Sequence, residues 1–79
     1  MKNLQNAKCG VYFKIVGYEE FAPLKIKRRL MELGLVAGQS VKIVRKSLLG
    51  KAYLLEVRGF LLSMRKSLSS FVVIGGKDD

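Results

Sequence analysis

Apolar positions along the chain follow two periods, and the switch between them marks out the elements. Ile26, Leu30 and Leu33 recur at steps of four and three, so they share one side of a helix, while Lys25, Arg28, Arg29 and Glu32 point away from it. Pro23 suits the first helical position, where its missing N–H would have no partner. Gly34 follows the last periodic residue and can take the left-handed conformation that ends a helix. Elsewhere the apolar residues alternate. Val11, Phe13 and Ile15 predict a strand over Val11–Tyr18, with Gly17 marking a bulge. Val36, Ala37, Gly38 and Gln39 suit a type II turn with Gly38 at its positive-φ position, and Val41 and Ile43 then open a strand over Gln39–Arg45. Tyr53, Leu55 and Val57 pattern a strand over Ala52–Arg58. Gly59 turns the chain, and Phe60, Leu62 and Met64 line one side of Phe60–Arg65. Lys66–Ser70 reads as a single helical turn, Phe71–Ile74 closes the sheet, and Leu4 and Ala7 cover one end of the core.

About five short strands with tight glycine turns and one short helix predict a mainly β fold, a small barrel that leaves few edges open. A split α+β sheet with the helix packed on its face is the alternative. The expected organisation is one domain over residues 1–75 and a flexible tail over 76–79. Leu30, Leu33, Val41, Ile43, Leu55, Val57, Leu62 and Val73 are the expected core, with Gly34 at positive φ.

Composition narrows the chemistry. A hydrophobic content of 49% argues against disorder, while aliphatic runs of two to four residues are too short to cross a bilayer. Residues 1–16 lack the long apolar centre of a secretory signal, which makes the cytoplasm the expected location. Cys9 is the only cysteine, and its expected role is a small core thiol. With no histidine and six carboxylates, neither a protein-built metal site nor a cofactor is expected. Gly34 and Gly38 come after the helix instead of before it, so they form no phosphate-binding loop. No spacing of Glu19, Glu20, Glu32 and Glu56 aims two carboxylates at one substrate, and catalysis is not expected.

The formal charge of +9 draws the chain to polyanionic or acidic partners. Basic and aromatic residues alternate at Tyr12/Lys14 and Arg58/Phe60, and Tyr53 lies near Lys51, a pattern open to a small basic barrel that binds nucleic acid. Phe13 and Phe60 fall on faces expected to be buried, so the nucleic-acid binding anticipated here is weak and sequence-blind. Leu48 and Leu49 sit near the tip of the KSLLGK connection (residues 46–51). Adjacent residues of extended chain point opposite ways, so at least one leucine is expected to face solvent, ready for a partner or for a homo-oligomer. Arg28, Arg29, Leu48, Leu49 and Lys51 are therefore the expected partner-binding residues, and Gly34, Gly38 and Gly59 the structural turns.

The stretch RRLMELGLVAGQSVKIV, Arg28–Val44, resembles the FeoA family through Arg29, Leu30, Leu33, Gly34, Leu35 and Gly38. A second stretch, VRGFLLSMRKSLSSFVVI, is similar to the family's closing segment at Val57, Gly59, Leu62, Arg65 and Val73. The resemblance implies an SH3-like barrel with an inserted helix. It further implies a non-enzymatic, cytoplasmic accessory protein of bacterial ferrous iron uptake, held at the inner face of the membrane through a FeoB-type GTPase transporter. The chain departs from the family pattern at SLLGKA, where Lys51 reverses an acidic position, and at Ser63-Met64-Arg65, which replaces alanine-leucine-arginine. The domain type also occurs fused to metal-dependent repressors, but no helix-turn-helix region is read in this chain.

Overall fold

A computed structural model describes residues 2–77. The elements are β1 (Lys2–Asn3), a 3₁₀ turn (Leu4–Asn6), β2 (Tyr12–Tyr18), α1 (Leu24–Glu32), β3 (Ser40–Lys46), β4 (Ala52–Val57), β5 (Phe60–Arg65), α2 (Lys66–Ser69) and β6 (Val72–Lys77). They build one antiparallel sheet in the order β1-β6-β2-β3-β4-β5. The five longer strands and the inserted helix are those the pattern predicts. The two-residue β1 is an addition, pairing Lys2 with Ile74 and Asn3 with Val73.

The core follows the alternation. Phe13 and Ile15 of β2, Val41 and Ile43 of β3, and Tyr53, Leu55 and Val57 of β4 are buried on one face. Leu4 and Ala7 close one end of this core as expected, and Tyr53 Oη donates to the Gln5 carbonyl at 3.1 Å. The bulge at Gly17 is present as a register shift between Ile15 and Gly17. The Val36–Gln39 turn is present too, with Gly38 at φ 92° and Gln39 N–H donating to Val36 O at 3.1 Å.

Four core or boundary expectations are corrected. Leu33 is 49% exposed, and Leu35 is buried in its place. The helix ends in a Schellman motif: Gly34 N–H donates to Met31 O at 3.0 Å and Leu35 N–H to Leu30 O at 3.1 Å. With Gly34 at φ 101°, the chain turns Leu35 back onto Leu30 and leaves Leu33 outside. Val73 is half-buried while Val72 and Ile74 are buried, because a run of four apolar residues carries no period-2 phase and pairing across β2 chose it. β6 continues beyond Ile74 to Lys77, which pairs with Phe13, so residues 76 and 77 belong to the sheet, and the rest of the expected tail lies outside the described residues. Cys9 is exposed, set in the turn that precedes β2, where Gly10 has φ 81° and its N–H donates to Ile43 O at 2.8 Å.

Leu62 is half-buried and packs against the core. Pro23 stands one position before the helix, its carbonyl accepting from Lys27 N–H at 2.9 Å.

Candidate partner-binding surface

Helix α1 buries Leu30, half-buries Ile26, and leaves Lys25, Arg28, Arg29 and Glu32 exposed. Its basic side therefore faces solvent on a short element held by two apolar anchors and by its C-terminal motif. Tyr18 fixes the segment that follows: its Oη donates to the Leu35 carbonyl at 2.6 Å. Burial pushes the Tyr18 phenol up to about 12, since a phenolate there would lose hydration.

The β3–β4 tip is organised by Ser47. Its N–H donates to Ala52 O at 2.8 Å, and its Oγ accepts from the N–H groups of Lys51 and Ala52, both at 3.1 Å. Gly50 N–H closes the inner turn on Ser47 O at 2.8 Å. This folded tip presents both leucines outward, Leu49 at 79% exposure and Leu48 fully exposed. Lys51 is exposed beside them.

The fold joins these two sequence-distant clusters along one side. Arg29 of α1 and Leu33, the residue that follows the helix, face Leu62, Ser63 and Arg65 of β5 across a groove of about 270 Å³. Arg65 also lines the next concavity, of about 560 Å³, with Lys66, Lys51 and Leu49. Arg65 thus links the helix groove to the hairpin tip. Arg65 and Lys66 are not among the partner-binding residues expected from the sequence, although an exposed basic pair at the end of an alternating strand was a readable signal.

Phe60 corrects another expectation. It shares a face with Leu62 and Met64 but is 73% exposed, because the strand end overshoots the core. Gly59 turns the chain there at φ 81°, and Leu61 is exposed as well. Of the other aromatics weighed for base stacking, Phe13 and Tyr53 are buried. Tyr12 is engaged on the outer sheet face: its Oη donates to Glu56, and Lys42 Nζ lies 4.7 Å from its ring centroid. The hydrogen bond to Glu56, then loss of hydration and the adjacent negative charge, raise the Tyr12 phenol above its ordinary value. Lys42 also pairs with Glu56 at 3.8 Å.

Among the described residues no three His, Cys, Asp or Glu side chains converge. Nor is any helix among them long and apolar enough to cross a membrane.

Comparison with known proteins agrees with this architecture. Solved structures of FeoA proteins superpose over nearly the whole chain. The FeoA protein of Chlorobium tepidum is 30% identical, with a TM-score of 0.81 over 91% of this chain and 67% of that one. A FeoA-like protein of Clostridium acetobutylicum is 27% identical, with a TM-score of 0.83 over 94% of this chain and 84% of its own. Stenotrophomonas maltophilia FeoA, solved with zinc and described as a procaryotic SH3 domain protein, is 26% identical, with a TM-score of 0.82 over 95% and 91% of the two chains. The fold is accordingly SH3-like. No curated protein matches the chain. The model of the FeoA domain matches residues 2–74, and the chain belongs to the FeoA family.

Proposed function

We propose that this chain is a non-enzymatic accessory module of ferrous iron uptake that binds the cytoplasmic region of a FeoB-type membrane GTPase transporter. Membership of the FeoA family supports a role in ferrous iron transport. The S. maltophilia relative is described as a suggested activating factor of that transport. The observation that carries the partner reading is the pair of concavities joined at Arg65, one lined by Arg29 and the exposed Leu33 and the other by Lys66, Lys51 and the exposed Leu49, with Arg28 and Leu48 exposed at the adjacent chain positions. Exposed apolar residues supply the centre of a protein interface, and guanidinium groups pair directionally with carboxylates. In this reading the protein is cytoplasmic and reaches the inner membrane face only through its partner.

The test is capture of the transporter's cytoplasmic region at near-physiological salt by the full chain, by R28E/R29E and by L48D/L49D. Both variants keep the fold and weaken capture. Undiminished capture by both removes this surface from the interface. A homo-oligomer built through Leu48 and Leu49 would appear instead as a larger species of the isolated wild type, absent in L48D/L49D. Nucleic acid binds weakly and without sequence preference, and is released as salt rises, because counterion release drives such binding. Recovery of one defined RNA or DNA at physiological salt, with no transporter, overturns the proposal.

A further inference from the structure

Among the described residues β5 is the terminal strand of the sheet, and no strand pairs with its outer side. Arg58 and Gly59, at φ 54° and 81°, form a two-residue turn with Val57 opposite Phe60. In such a hairpin the flanking residues exchange both hydrogen bonds, and every second residue beyond them does the same. Lys66 N–H donating to Lys51 O at 2.9 Å keeps the same alternation at the far end. The backbone N–H and C=O groups of Leu61, Ser63 and Arg65 therefore point away from β4, with no strand of the described residues across from them. All three residues are exposed, Leu61 at 63%.

This edge does not face open solvent alone. It forms one wall of the groove whose other wall carries Arg29 and Leu33. A free row of backbone donors and acceptors beside an apolar groove is the arrangement that takes up an extended segment as an added strand. Charge selects the occupant. Arg58 and Arg65 bracket the edge, Arg29 stands opposite, and Lys66 and Lys51 lie beyond Arg65. A second copy of this chain, itself carrying +9, is opposed by like charge. An acidic segment is favoured.

We propose that the β5 edge binds an extended segment of a partner protein in which apolar and acidic side chains alternate. Backbone hydrogen bonds to Leu61, Ser63 and Arg65 hold the segment in register. Because strand side chains alternate, its apolar residues turn toward Leu33 and Leu62 while its carboxylates lie on the opposite face, alongside Arg65. The inference rests on the reading of this domain as a partner-binding module and adds how the partner is gripped.

The experiment titrates the isotope-labelled full chain with a synthetic heptapeptide alternating glutamate and valine, followed by amide NMR and hydrogen exchange. The expected result is shifted and exchange-protected amides at Leu61, Ser63 and Arg65. Binding is weakened at least about tenfold by N-methylation of alternate peptide amides, and equally by Ser63→Pro, which deletes an outward N–H while sparing the ladder with β4. If Ser63→Pro does not fold, the N-methylated peptide carries the same test. R65E weakens the glutamate peptide and favours its lysine–valine counterpart. Shifts confined to other surfaces, equal binding of N-methylated peptide, or equal binding of the lysine peptide overturn the proposal. So does a free protein that pairs β5 with β5 of a second copy. Transporter capture with no peptide at this edge overturns strand addition and leaves the partner-binding reading intact. Peptide binding without transporter capture does the reverse.

Discussion

The sheet and helix α1 are both amphipathic, yet they use their apolar faces differently. Across β2, β3 and β4 nearly every inward position is buried, and the outer positions carry Tyr12, Lys14, Lys42 and Glu56. In α1 only Leu30 is buried, while Leu24, Met31 and the neighbouring Leu33 stay exposed beside Arg28 and Arg29. A helix so short draws its stability from packing, and here packing rests on the buried Leu30, the half-buried Ile26 and the capping motif that follows. The sheet is the scaffold. The helix and the β3–β4 tip are what the scaffold presents. Apolar side chains left outside by a well-packed core are available for a partner.

Substitutions that separate the two regions grade from large to small. Leu55→Ala, in the middle of the sheet core, should lower unfolding free energy by roughly 2–5 kcal/mol in chemical denaturation. A loss below about 1 kcal/mol would show that the sheet is not the stabilising region. Gly34→Ala should cost about 1–2 kcal/mol through its left-handed backbone, since an added Cβ meets nothing nearer than Arg58 Cδ at 3.5 Å. Steric conflict is thus a minor part of that cost. Ser47→Ala should cost about 1 kcal/mol by freeing two tip amides, seen as faster exchange at Lys51 and Ala52. Leu33→Ala should stay within about 0.5 kcal/mol. A loss like that of Leu55→Ala would place Leu33 in the core and erase the contrast.

One further effect is absent at neutral pH and confined to alkaline pH. The Tyr18 phenol is raised from 10.0 to about 12 in the folded chain by burial. Its contribution to stability is therefore complete below pH 10 and declines as pH rises toward 12. Tyr18→Phe should remove that part of the decline, and ultraviolet titration should show one tyrosine ionising near 12 in the wild type only. An unchanged alkaline profile in Tyr18→Phe would show that Tyr18 is not the group responsible.

Alternation by twos determined β2 to β5 and their inner faces, and the step of four and three determined α1, because these periods follow from backbone geometry alone. The glycines after the helix determined its end and the following turn for a similarly local reason: positive φ is costly for other residues. The motif LGL also held the placement of Leu35, since a Schellman turn brings the residue after the glycine back onto the helix; the periodic reading extended to Leu33 and missed it. Tertiary structure alone decided the rest. Val73 lost its core place to Val72 and Ile74 because an unbroken apolar run has no phase until it pairs. Phe60 kept the inward parity yet lies outside, because only the sheet's extent shows where the core stops. Arg65 joined the helix groove to the hairpin tip, and β5 became an open edge, because strand order is a long-range property that no local pattern encodes.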